Sequence, residues 1–379
     1  MKDLKKINNP YGDSKVIDAC SLFGMMDTAG RLFDGKDVIR AITNMHDRGN
    51  GLGGGFAIYG LYPNYPDLYA FHVMYLSREG KGETECLLKD RFNIAFDEEL
   101  PTRPTEGVVN PPLVWRYFLS PGKHKPEDKN DDDYAVQAVM DINTKMNDSF
   151  VFSSGKNMGV FKGVGYPENI ARFFRLEDYQ GYIWAAHGRF PTNTPGWWGG
   201  AHPFCILDWT VVHNGEISSY GINRRYLEQF GYICTLQTDT EVIAYAVDLL
   251  IRRHGLPLEI ATKVMAPPLW SDIERRPESE RKLLTALRQV YPSLLLNGPF
   301  TVIIAHQNEM IGLTDRIRLR PLTVGVKDKV LYLSSEESAI RLVCPELENA
   351  WIPMGGEPIV GRVGAPLPVP ERVGLVKVR

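Results

Sequence analysis

Cysteine is scarce and scattered in this 379-residue chain: Cys20, Cys86, Cys205, Cys234 and Cys344 are odd in number and share no CxxC spacing. That argues against a disulfide framework or a zinc knuckle and fits a reducing, cytoplasmic setting. Long hydrophobic runs are missing as well. No stretch of about 18 apolar residues occurs, and Lys2, Lys5, Lys6 and Lys15 are not followed by the apolar segment of an export signal. No membrane partner is expected. Charge of one sign is missing too, since 43 Lys and Arg against 46 Asp and Glu leave a formal net charge of -3. With no surplus to hold a phosphate backbone, nucleic acid is not an expected partner. No fixed-period repeat is visible.

What is present is an ordinary globular composition, 44% hydrophobic and 23% charged with 35 Gly and 26 Pro, on a chain long enough for a sizeable core. Residues 19–26 form a short apolar run closed by residues 27–30 and read as a strand and turn. Residues 35–46 read as a helix, and the glycine-rich turn 48–55 leads into strand candidates at 56–61 and 68–76. Further strands are expected at 182–186, 210–213, 300–305 and 330–333, and helices at 240–253 and 278–290. Strands at both ends suggest one sheet system. Between about residues 80 and 150, prolines and the charged stretch 123–133 break the pattern. We read this as an insertion, a solvated elaboration that is also one candidate docking face.

Single motifs carry little. Gly49 to Gly55 precedes a strand instead of opening a helix, and Ser153-Ser154-Gly155-Lys156-Asn157 lacks the hydroxyl a P-loop needs after its lysine. His187, His202 and His213 have no HxH or HExxH spacing, so no metal is expected and they read as hydrogen-bonding histidines. Asn214-Gly215 is the preferred pair for a tight hairpin turn. Thr238-Asp239-Thr240-Glu241 reads as a capping box, with Thr238 as cap. Arg189 sits at a strand end, where functional side chains often emerge, and Cys20 alone is more often a small buried hydrophobe.

In combination and order these residues resemble the class II glutamine amidotransferases, whose glutaminase domain is an N-terminal nucleophile (Ntn) hydrolase. The resemblance runs from Cys20-Ser21-Leu22-Phe23-Gly24 through His46-Asp47-Arg48-Gly49, His187-Gly188-Arg189-Phe190-Pro191-Thr192-Asn193 and Ala201-His202-Pro203-Phe204. It continues through His213-Asn214-Gly215-Glu216-Ile217 to Thr238-Asp239-Thr240-Glu241. Ser21 stands where the family usually has glycine. Within the family, Thr192-Asn193-Thr194, Trp197-Trp198 and the segment 315–322 are most similar to the glutaminase part of glutamate synthase.

The resemblance implies an α+β fold, a four-layer αββα sandwich with the insertion added. Residues 1–19 would be a leader and 20–379 the amidotransferase domain. A freed Cys20 would supply both thiol and base. Asn214 and Gly215 would bind the oxyanion, Arg189 the substrate α-carboxylate and Asp239 its α-ammonium. Thr192 and His202 are expected at the substrate, with His187 and His202 in supporting hydrogen-bond roles and Trp197 and Trp198 as pocket wall or core. No cofactor is expected in this chain; flavin and iron–sulfur groups belong to a synthase partner receiving ammonia. Alternatives are a freestanding Ntn amidase and an unprocessed, non-catalytic regulatory subunit.

Overall fold

The computed structural model describes residues 19–191 and 196–370. Most of the leader, and Thr192, therefore lie outside the described residues.

Strand β1 (Ser21–Asp27) is buried along its whole length. Its run Ser-Leu-Phe-Gly-Met-Met-Asp shows no polar alternation because both faces are covered, one by α1 (Lys36–Thr43) and the other by a second sheet. The first sheet has seven antiparallel strands: β17 (Asn349–Trp351), β15 (Thr323–Lys327), β16 (Val330–Ser334), β1, β10 (Ile183–Gly188), β3 (Gly54–Tyr59) and β8 (Met158–Gly163). The second has five: β11 (Phe204–Ile206), β12 (Trp209–Gly215), β13 (Phe300–His306), β14 (Glu309–Thr314) and β18 (Ile359–Arg362). A two-residue ladder joins β2 (Phe33–Asp34) to β9 (Gln180–Gly181).

The sheets meet through β1 and β10 against β12 and β13. Gly24 sits at this seam, where a Cβ would come within 2.8 Å of the Met310 sulfur and 3.3 Å of Ile303. A larger residue would force the sheets apart. Outside the first sheet lie α1, α4 (Pro167–Phe173) and α10 (Glu337–Val343). Outside the second, α6 (Thr240–Val247) packs on β11 and β12 and continues as a π-helical stretch, Asp248–Arg253. Around it are α5 (Tyr220–Glu228), α7 (Leu258–Met265), α8 (Trp270–Glu274) and α9 (Glu278–Val290). The architecture is the expected αββα sandwich.

Two local expectations are corrected. Asn214-Gly215 makes no hairpin turn. Both residues close β12, with Asn214 opposite Thr301 and Gly215 opposite Phe300 of β13. Glycine is required there for another reason, a φ of +146° and a backbone so near the Pro299 carbonyl that any side chain would strike it. The segment read as a solvated insertion is also a packed unit. A four-stranded sheet runs β5 (Phe92–Glu99), β6 (Leu113–Pro121), β4 (Tyr69–Tyr75), β7 (Ser149–Ser153), flanked by α2 (Arg78–Arg91) and α3 (Asp131–Lys145).

The charge run ends as the first turn of α3, where Asn130 accepts the Asp133 N–H at 2.7 Å and Asp131 to Asp133 face the positive end of the helix dipole. One side of this sheet (Phe71, Val73, Leu119) joins the core under α6, and the other (Met74, Phe118) joins the core of the first sheet. Buried Leu88, Phe92 and Leu119 each contribute about 1.5–3 kcal/mol.

Candidate active site

Four chain segments end at one place. Ser21, the first residue of β1, is paired with Gly188, the last of β10, so Cys20 lies beside Arg189 and Phe190. Ser21 fits because Gly188 has no side chain: a Cβ on Gly188 would meet the Ser21 hydroxyl. The C-terminal end of β12 and the start of α6 complete the locus and bring up Gly215 and Asp239. Together they border a cavity of about 540 Å³, whose wall also includes His202, Ile217 and Tyr220. That size suits a small metabolite.

The Cys20 thiol receives the Phe190 N–H at 3.4 Å, and its own carbonyl is held by Arg48 Nε at 3.2 Å while Arg48 Nη1 pairs with Glu336 at 2.8 Å. Burial pushes the thiol above its ordinary pKa, opposed by the Phe190 hydrogen bond and the Arg189 charge. Arg189 is 3% exposed, and burial draws it below its ordinary value against the pull of Cys20, Asp239 and Glu216. Two glycines make room for it: a Cβ would lie 3.0 Å from Arg189 Cδ at Gly53, and 3.1 Å from Nη1 at Gly200.

Asp239 occupies the N-cap position of α6, yet its side chain makes no cap hydrogen bond. Its Oδ2 instead accepts the Ile217 N–H at 2.8 Å, and Oδ1 lies 3.7 Å from His213 Nδ1. The capping box is corrected with it. Glu241 does not reach back to Thr238; its oxygens take the Thr235 and Leu236 N–H groups at 3.0 and 2.9 Å and the Tyr245 hydroxyl at 2.8 Å. The carboxylate thus ties down the segment before the helix, which leaves Asp239 facing the cavity.

His202 and His213 line the cavity, and His187, outside its lining, is joined to both. His187 Nε2 donates to the His213 carbonyl at 2.9 Å, and the Thr240 hydroxyl bridges His202 Nε2 at 2.7 Å and His213 Nδ1 at 3.0 Å. The His187 and His202 rings stack at 4.0 Å. Burial lowers all three, His187 to about 3, so they are neutral near pH 7 and act by hydrogen bonding. Asn214, between the cavity residues His213 and Gly215, is 1% exposed, its Nδ2 buried without a partner. An orphaned donor of this kind is disfavoured unless something comes to accept it.

Trp198 is core, packed on Phe173 and Phe174, whereas Trp197 donates to the Leu236 carbonyl at 3.3 Å. Sequence reasoning missed Ile217, Tyr220 and Gln237 in the cavity wall, and the clamp of Arg48 on the Cys20 carbonyl. The His-Asp-Arg-Gly motif was the available signal for the clamp. No group of three or more His, Cys, Asp or Glu able to hold a metal occurs among the described residues, and no helix among them is long and apolar enough to cross a membrane.

An αββα sandwich with a cysteine, an arginine and a carboxylate at converging strand and helix ends defines an Ntn-type amidohydrolase architecture. The family model for class II glutamine amidotransferases matches residues 108–349, and the chain belongs to that family. Cys20 precedes the matched stretch. Among relatives, an uncharacterized protein of Archaeoglobus fulgidus is 60% identical over 91% of this chain and 92% of its own. A putative glutamine amidotransferase of Methanothermobacter thermautotrophicus is 26% identical over 89% of this chain and 97% of its own. The solved glutamine phosphoribosylpyrophosphate amidotransferase of B. subtilis aligns with 90% of this chain and 47% of its own, at 15% identity and a TM-score of 0.45.

Proposed function

We propose that this chain hydrolyses glutamine through a Cys20 thioester and delivers the ammonia to a synthase partner. The observation that carries the reading is the convergence at one cavity of the Cys20 thiol, the Arg189 guanidinium and the Asp239 carboxylate, with Asn214, whose amide nitrogen is unpartnered, set in the chain between the cavity residues His213 and Gly215. Arg189 takes the substrate α-carboxylate in a two-donor fork and Asp239 takes the α-ammonium, which selects free glutamine over amides within peptides.

Once the Ala19–Cys20 bond is cut, the Cys20 α-amine, with an ordinary pKa of about 7.7–8.0, removes the thiol proton. The sulfur attacks the side-chain carbonyl, and the Asn214 amide and Gly215 N–H stabilise the resulting oxyanion. Collapse releases ammonia, protonated by the same amine, and leaves the thioester. Water activated by that amine then frees glutamate. The partner we infer is a flavin- and iron–sulfur-bearing glutamate synthase subunit, on the likeness of Trp197-Trp198 and segment 315–322.

The test is glutamine turnover by purified protein. Glutamate should form, a glutamine analogue that alkylates thiols should label Cys20 and stop turnover, and a co-purifying synthase subunit should raise the rate. The active N-terminus should be Cys20 by intact mass. Full-rate hydrolysis without stimulation would favour a freestanding amidase, and no turnover with an uncut leader would favour a regulatory subunit.

A further inference from the structure

Strand β8 carries a lysine that the chemistry above does not use. Phe161 packs on Phe174 and Tyr179 at the helix side of the sheet, so its neighbour Lys162 points the other way, into the space between the sheets. Lys162 is 1% exposed. Its ammonium lies 4.2 Å from the centre of the Phe204 ring and donates to the Gly199 carbonyl at 2.9 Å. A buried ammonium is unfavourable unless acceptors hold it, and a methionine would fill this space without that penalty. The lysine therefore maintains a constraint.

The constraint falls on the turn between Trp197 and Ala201, closed by Gly200 N–H to the Trp197 carbonyl at 3.1 Å and Ala201 N–H to the Trp198 carbonyl at 3.3 Å. This turn is one wall around Arg189, since a Cβ at Gly200 would lie 3.1 Å from Nη1, and it leads directly into His202 at the cavity. Shifting Gly199 shifts both. The Lys162 charge is also felt by His202 and opposed by buried Glu241 at the start of α6, while burial draws the ammonium itself down to about 7.

We propose that Lys162 is a positioning residue for glutamine recognition: by holding the Gly199 carbonyl it fixes the turn that seats Arg189 and His202. This rests on the reading of Arg189 as the α-carboxylate ligand. The test is steady-state glutaminase kinetics of the processed protein. Lys162→Met should raise KM for glutamine about tenfold while kcat changes by about threefold or less, because Cys20 directly precedes β1 and Asn214 lies on β12, both apart from β8. Adding Lys162→Met to Arg189→Ala should raise KM no further. A purely structural lysine would lower the melting temperature and leave KM where it was.

A wild-type KM in folded Lys162→Met, with KM raised in Arg189→Ala, would overturn the inference and leave the Arg189 reading standing. A wild-type KM in Arg189→Ala would overturn both. Should Lys162→Met not fold, Gly200→Ala probes the same turn by placing a methyl 2.8 Å from Trp197 Nε1 and 3.1 Å from Arg189 Nη1, and a wild-type KM in that folded variant would overturn the proposal.

Discussion

His72 in the four-stranded sheet and the histidines of the cavity wall are buried alike and used differently. His72 is bonded through both ring nitrogens, to the Tyr62 hydroxyl at 2.8 Å and the Val160 carbonyl at 2.9 Å. His187 and His202 leave Nδ1 without a hydrogen-bond partner, and His213 leaves Nε2, while the neighbouring Asn214 Nδ2 is also unmatched. A fold satisfies polar groups where it needs only stability. Unmatched atoms occur elsewhere too, Thr84 Oγ1 on α2 among them, but four of them gather at and next to the cavity, where the proposed chemistry takes place.

The comparison breaks most visibly at the cavity. Cys20→Ala should abolish glutamine hydrolysis while the protein stays folded, checked by glutamate release and circular dichroism. Asn214→Ala should lower turnover by roughly 10²- to 10³-fold, the usual loss for one oxyanion donor. It should cost little stability, because the buried amide nitrogen it deletes has no partner. Near-normal turnover would reduce Asn214 to a strand residue.

Asp239 separates two roles next. If its carboxylate binds the α-ammonium, Asp239→Ala should weaken glutamine binding by about 2 to 5 kcal/mol, measured by calorimetry on a Cys20→Ala background. A residue serving only as helix cap would instead lose about 1 kcal/mol of stability and leave affinity intact. The missing cap bond favours the first outcome.

Strands β13 and β16 were legible in the sequence because their apolar runs are unbroken, and helix α9 because its apolar residues recur at helical spacing; all three lie within a residue or so of expectation. The sandwich was not legible from periodicity, since β1 and β3 are buried on both faces and lose the alternation that marks a half-exposed strand. Of the four-stranded sheet only β4 was expected, at 68–76; β5, β6 and β7 were missed because proline and charge dominate their loops, while core positions such as Phe92 and Tyr117 are spaced along separate elements. At the site, the residue types were legible through motif order. Glu241 was misread because a capping box and a carboxylate that holds the preceding segment have the same spacing; only the fold distinguishes them.

The smallest effect is on acid stability, and it returns to His72. Burial holds this histidine at about 3, far below the ordinary value of about 6.5, because a charged ring there would lose its water. Above about pH 6.5 both folded and unfolded forms are neutral and its full contribution is present. As the pH falls through that value toward about 3, the unfolded chain gains a proton that the folded one refuses, and stability is lost at up to ~1.4 kcal/mol per pH unit. Half-buried Asp208 and buried Glu241, raised to about 6 and about 7, act with the opposite sign in the same window. The informative quantity is therefore the difference between two slopes. His72→Gln keeps polar atoms for Tyr62 and Val160 but cannot titrate. In urea unfolding at pH 7, 6 and 5 it should lose less stability on acidification than the wild type, by about 1 to 2 kcal/mol across that range. Parallel slopes would show that the His72 pocket admits a proton, and the contrast between satisfied and unsatisfied histidines would then carry no electrostatic consequence.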